Sequence, residues 1–261
     1  MVKISRPAWR IQRSAIFALF LRELKTRFGA YRLGYLWALL EPLGHLLIIG
    51  TVFGLRSKSV MPGIDFPVFL MSGIVPWLMF NNILSRSMSA VDANQGLFGY
   101  RQVKPIDAIL ARVQVEVLVS VAVMLILMVI GVLSGYRVLP ADPLRLFVSY
   151  LGLLGFAIPL GVLFCVLGTL LPETKKIVPL VIKPLYFISC IFFPLHVIPQ
   201  GWHFLFTWNP FVHFVELSRT YWFASFQPVI TSPTYLFEVG IGLTWLGLFV
   251  YRLTRIKLVT T

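Results

Sequence analysis

"RELKTRFGAYRLGYLWALLEPLGHLLIIG", residues Arg22 to Gly50, changes character halfway along. Its first half is basic, with an aromatic and two glycines; its second half is a hydrophobic run that nonetheless holds Glu41, Pro42 and His45. A run of that length reads as a first membrane span over 35–55, closed by Arg56 and Lys58. A carboxylate at mid-membrane costs at least about 2.5–3.5 kcal/mol, so an intramembrane charge normally faces a partner or a wet cavity. Trp37, Glu41 and His45 recur at i, i+4 and i+8, which places them on one stripe of a helix. Two readings of that stripe stand open. Either Glu41 and His45 satisfy each other locally near the cytoplasmic end, or the stripe lines a path and Glu41 pairs with Lys183. Lys183 has its own alternative, which is to snorkel to the interface.

Outward from this stretch the same contrast of basic and apolar segments continues. Upstream, residues 8–32 place Trp9, Ile16, Phe17, Phe20, Leu21 and Leu24 on one side of a helix, with Arg10, Arg13, Arg22, Lys25 and Arg27 largely elsewhere. That pattern predicts an amphipathic helix in the membrane interface, its basic residues toward lipid headgroups. Downstream, apolar runs predict further spans at 67–84, 110–134, 144–171, 177–194 and 233–251. The segment 85–107 is too polar to span. Residues 195–230 are aromatic and punctuated by Pro and Gly, without an uninterrupted apolar run of about 20 residues.

The composition agrees. Of 261 residues 58% are hydrophobic and only 13% charged, far from the roughly 25% charged residues of a soluble domain. The chain is an all-α polytopic membrane protein on this reading, a single domain with six spans. The net charge of +13 would suggest nucleic acid in a soluble protein; here it follows the positive-inside rule, and no nucleic-acid partner is expected. With the N-terminus inside, the cytoplasmic segments outnumber the external ones in Lys and Arg by about three to one, so both termini are expected in the cytoplasm. Cys165 and Cys190 both fall in apolar spans and match no metal spacing. The first residues carry charge at every turn, so no cleavable signal peptide is expected.

Motifs of catalysis are missing. No G-x-x-x-x-G-K-[ST] loop occurs, so ATP binding of the Walker A kind is excluded, and HExxH, GxSxG and CxxC are absent too. Ten acidic residues are spread thinly, which weighs against a membrane enzyme and an ion-coupled transporter alike. The expectation is a transport subunit without catalytic residues, metal or cofactor of its own. The rings in 195–230, among them Trp208, suit either an interfacial aromatic belt or stacking against the flat apolar faces of sugars.

Three segments together resemble a known family. "RELKTRFGAYRLGYLWALLEPL", with Gly34, Trp37 and Pro42, is similar to the start of ABC-2 type permeases. "NQGLFGYRQVKPIDAIL", with Asn94, Leu97 and Pro105, looks like that family's cytoplasmic loop. "FFPLHVIPQGWHFLFTWNPFVHFVELSR", with Pro194, Pro199, Asn209, Pro210, Glu216 and Arg219, looks like its re-entrant hairpin before the last span. Short length and the lack of a large external domain are most similar to the permease subunit of capsular polysaccharide exporters of the bacterial inner membrane. Exporters of O-antigen, teichoic acid or a hydrophobic drug are the alternatives.

The resemblance implies a dimer of this chain with two copies of a separate ATPase subunit, which would hold the ATP and Mg. It also implies a periplasmic co-polymerase and an outer-membrane export protein as further partners. Coupling to the ATPase would run through the 85–107 loop, with Asn94, Leu97, Phe98, Tyr100, Arg101, Lys104 and Pro105. The polymer would pass between the two copies, along the first and fifth spans. Trp37, Glu41, His45, Lys183 and Tyr186 would then lie near the channel, with Arg27 and Arg32 drawing in an acidic chain.

Overall fold

The computed structural model describes residues 7–29, 34–54, 59–61, 63–100 and 102–260. Arg32 and Arg101, both expected to be functional, lie outside these residues, as do Arg56 and Lys58. Among the described residues ten α-helices follow one another: α1 (Ala8–Gly29), α2 (Gly34–Gly54), α3 (Phe66–Ser87), α4 (Pro105–Leu133), α5 (Pro143–Leu170), α6 (Thr174–Phe187), α7 (Phe204–Thr207), α8 (Pro210–Trp222), α9 (Pro233–Thr254) and α10 (Lys257–Thr260). A small hairpin pairs β1 (Ser59–Met61) antiparallel with β2 (Ile64–Asp65). It turns through Gly63 at φ +83°, a conformation glycine adopts without steric cost. The sequence shows that stretch only as a loop.

Helix starts are written in the chain. Proline stands in the first turn of α3, α4, α5, α8 and α9, where its missing N–H is no loss and its fixed φ suits the helix. Asp142, Asn209 and Ser232 accept the backbone N–H of Arg145, Phe211 and Tyr235, each satisfying one of the donors a helix start leaves free.

α3 stands at the centre, touching α2, α4, α5, α6 and α8. Phe69, Leu70, Ile74, Ile83 and Leu84 on it are almost wholly buried. α5 and α9 lie close together because Gly247 offers no side chain; a Cβ there would sit 3.1 Å from the Pro159 carbonyl. α4 and α9 show most of their apolar surface to the outside, as helices facing lipid do. By length and composition α3, α4, α5 and α9 can each cross a membrane, while α2 has a shorter apolar stretch over Leu36–Val52.

One expectation fails. A continuous helix over 177–194 does not form: α6 has 14 residues and ends at Phe187. The chain then turns through Cys190, the non-glycine residue at φ +53° among those described. Pro179 and Pro184 lie inside α6, and Pro194, which has no N–H to continue a helix ladder, stands beyond its end. The carbonyls freed beyond Phe187 find a donor elsewhere.

Candidate functional site

Two helices carry mirror-ordered charges. α1 has Glu23 and Arg27 one turn apart; α4 has Arg112 and Glu116 one turn apart. Glu23 pairs with Arg112 at 3.1 Å, and Arg27 pairs with Glu116. Both pairs share one sequence offset, since 112 − 23 = 116 − 27, so α1 and α4 lie side by side and parallel here. Arg86 of α3 reaches the same Glu116 oxygen at 2.9 Å. Glu116 is 1% and Arg27 9% exposed, whereas Arg86 is 41% exposed. A buried carboxylate between two guanidiniums is tolerated because its charge is matched on the spot.

Asn94 ties the following loop into this junction. Its side chain accepts from Arg22 at 2.8 Å and donates to Glu23 at 3.1 Å and to the Ala90 carbonyl at 2.9 Å. Arg112 donates to Ser89 Oγ at 2.9 Å and to the Arg86 carbonyl. Gln12 of α1 donates to Asp107 Oδ1 at 3.0 Å, while Asp107 Oδ2 accepts the Lys104 N–H at the start of α4. Lys175 and Asp92 form a further ion pair. α1 is thus held edge-on by polar bonds, with Leu19 and Phe28 as its buried apolar contacts.

Of the residues expected to couple to an ATPase, Asn94 sits in this knot. Phe98 is buried, Leu97 half-buried, Pro105 buried at the first turn of α4, and Tyr100 and Lys104 exposed. A cleft opens between the outer face of α1, with Trp9, Arg13 and Phe17, and the segment holding Tyr100, Gln102 and Val103. Of the basic residues expected to face headgroups, Arg22 and Arg27 instead bond inward, whereas Arg10, Arg13 and Lys25 are exposed.

The proposed path residues separate into two neighbourhoods. His45 meets the ring of Tyr186 edge-on at 6.0 Å, and Tyr186 stacks on Trp77 at 5.4 Å, which in turn meets Phe211 at 4.8 Å. The Tyr186 hydroxyl has no hydrogen-bond partner among the described residues. His45 Nδ1 lies 2.9 Å from the Glu41 carbonyl. It is the backbone of Glu41, not its carboxylate, that serves this histidine. Glu41 lines a cavity of about 20 Å³ with Arg27, Asn82, Glu116 and Ser120. Glu41 and Lys183 form no ion pair, and Lys183 and Trp37 are exposed.

The third group is α8. Asn209 caps it through Phe211 N at 2.9 Å and donates to Ser189 Oγ at 3.1 Å, and Pro210 follows in the first turn. Trp208 is exposed, and its carbonyl accepts from Tyr235 at 2.6 Å. Arg219, fully buried, donates to the carbonyls of Cys190 and Ile191 at 2.7 Å each and lies over the Phe69 ring at 3.7 Å. These carbonyls belong to the turn that follows α6. Gly73 makes room, since a Cβ there would lie 3.0 Å from the Arg219 guanidinium. Glu216 accepts the N–H groups of Leu195 and Val229 at 3.3 and 3.4 Å, holding both ends of the 195–230 segment.

Sequence reasoning missed Glu23, Arg86, Asp107, Arg112 and Glu116 as a set. The available signal was the pair of opposed i, i+4 charge spacings on α1 and α4. Among the described residues no three His, Cys, Asp or Glu side chains converge as metal ligands.

Comparison with known proteins bears on what this arrangement serves. The family described as ABC-2 type transporter matches residues 14–223. The chain is 44% identical over 259 residues to the polysialic acid transport protein KpsM of Escherichia coli, covering 99% of this chain and 100% of that one. It is 27% identical over 243 residues to the capsule polysaccharide export inner-membrane protein CtrC of Neisseria meningitidis, 92% of this chain and 91% of that one. With the capsule polysaccharide export inner-membrane protein BexB of Haemophilus influenzae it shares 27% identity over 242 residues, 93% of this chain and 91% of the other.

Proposed function

Because the chain belongs to the ABC-2 type transporter family, we propose that it is the permease subunit of an ATP-driven exporter that carries capsular polysaccharide out of the cytoplasm. The observation that carries this reading is 44% identity along essentially its whole length to a polysialic acid transport protein. The protein sits in the bacterial inner membrane with both termini in the cytoplasm. It crosses six times, α2 and α6 with the chain beyond it supplying the crossings that the four longest apolar helices do not, and 195–230 dips in and returns. Two copies pair, and a separate ATPase subunit binds each on the cytoplasmic side, bringing ATP and Mg; this chain performs no hydrolysis.

The ATPase docks in the cleft that α1 forms with Tyr100, Gln102 and Val103. The paired charges of α1 and α4, with Asn94, make helix and loop one rigid body, so a push on either moves both. Coupling requires such an element with two discrete positions. The polymer passes along α2 and α6, where the rings of Trp37 and Tyr186 offer apolar faces and Lys183 a positive charge. Glu41 shares a small cavity with the paired Arg27 and Glu116. A periplasmic co-polymerase and an outer-membrane pore carry the polymer onward.

The test is mild detergent extraction of the tagged chain from its host, followed by mass spectrometry of what accompanies it. A stoichiometric subunit bearing a Walker A loop, together with loss of surface capsule on deleting the chain, is the expected result. An intact capsule in the deletion strain refutes the substrate assignment, and no ATPase in any mild detergent refutes the split transporter.

A further inference from the structure

α4 and α9 both pack on α5, and their ends meet where the Ile106 N–H donates to the Tyr251 hydroxyl at 3.4 Å. Further along the helices they part. The floor between them is lined by Leu154, Gly155, Ile158, Pro159 and Val162 of α5 and Gly247 of α9, and this leaves an apolar groove of about 250 Å³. Ile106 and Leu110 form one wall and Thr244 and Leu248 the other. The groove lies on the two helices that show most of their apolar surface to the outside. Its α9 wall continues without a break into charge. Thr244, Leu248, Arg252 and Arg255 recur at i, i+4, i+8 and i+11, which is one face of a helix. Both arginines are exposed, and neither forms an ion pair among the described residues. A hydrocarbon slot thus ends in two open guanidiniums.

We propose that this groove is a specific site for a phospholipid of the surrounding bilayer whose headgroup carries a net negative charge. One acyl chain lies between α4 and α9 over Gly155 and Gly247, and the phosphate rests on Arg252 and Arg255. Guanidinium forks suit phosphate oxygens bidentately, and basic pockets between membrane helices are recognised sites for anionic headgroups. The site is separate from the polymer path along α2 and α6, and it acts as a lipid wedge that keeps two weakly joined helices at a fixed spacing.

The test uses the full chain in nanodiscs of phosphatidylglycerol and phosphatidylcholine in equal parts, released into the gas phase for native mass spectrometry. Two basic residues near the headgroup predict about a 30-fold preference for phosphatidylglycerol. R252Q/R255Q is expected to bring that preference close to unity while lipid is still retained. Thr244→Phe, which fills the slot from its outer wall, is expected to remove retained lipid of both kinds from a protein that stays monodisperse. Equal retention of the two lipids by the unaltered chain, or undiminished retention by Thr244→Phe, overturns the proposal. A photoreactive residue at Leu248 in living cells is expected to capture phospholipid; capture of a polypeptide instead means that another subunit covers the groove and also overturns it.

Discussion

Replacing Glu116 by leucine strands two guanidiniums at once. Removing one partner of a buried ion pair costs about 3–5 kcal/mol because a charge stays buried without its counter-charge, whereas replacing both by apolar groups of similar size is close to neutral. The exposures set the split here. Arg86 is 41% exposed and recovers water, while Arg27 at 9% does not, so Glu116→Leu is expected near the lower end, about 3 kcal/mol. Arg27→Met leaves Glu116 with Arg86 still at 2.9 Å and is expected to cost less, about 2 kcal/mol. The double variant puts a thioether chain against a leucine and leaves only Arg86, which water reaches, so it is expected to be close to neutral, well under the sum of the singles. Unfolding in mixed micelles by titrated anionic detergent, followed by the fluorescence of the chain's 7 tryptophans, gives all three values. Single costs that add to within about 0.5 kcal/mol in the double variant refute direct pairing of Arg27 with Glu116, and with it the docking of α1 on α4.

Other consequences are open to measurement. Arg219→Met leaves the Cys190 and Ile191 carbonyls without their donor, at about 1–3 kcal/mol each; cleavage by protease within 188–203 should rise sharply, and an unchanged cleavage rate contradicts the assignment. Asn94→Ala removes hydrogen bonds to Arg22, Glu23 and Ala90 and is expected to speed amide exchange along α1 at least several-fold, while exchange in α9 stays as it was. Two glycine substitutions in α5 are expected to differ in sign. Gly168→Ala drives a methyl to 2.6 Å from the Met88 carbonyl and costs about 1–3 kcal/mol. Gly152→Ala meets nothing within 4 Å and gains up to about 1 kcal/mol of helix propensity. Equal effects from the two would mean that α5 does not pack on the end of α3.

The long apolar helices were legible because each announces its own start and length: Pro105, Pro143 and Pro233 open helices close to where the runs of hydrophobic residues begin. The helix over Ala8–Gly29 was legible in place but not in orientation. Helical spacing separates apolar from basic residues, yet it cannot say that Arg27 has a carboxylate waiting 89 positions away. That information lies in the match between two helices, and each alone reads as an ordinary i, i+4 charge pair. The break after Phe187 was missed for a related reason. Apolar residues run on through Phe193, so hydropathy continues, while the donor that lets the helix stop belongs to Arg219 in a distant segment. Asn94, Glu216 and Arg219 were singled out by resemblance before any contact was visible; what each bonds could only be seen once the chain was folded.

α6 is short for a membrane crossing. Fourteen residues rise about 21 Å, against a hydrocarbon layer of about 30 Å. Beyond α6 the chain turns back through Cys190, with the carbonyls of Cys190 and Ile191 held by the buried Arg219. On the proposed topology the remaining depth is met by turns, whose backbone groups find their partners inside the protein because lipid offers none. One side chain thereby does the work of a helical turn, and no water stands by at that depth to replace it.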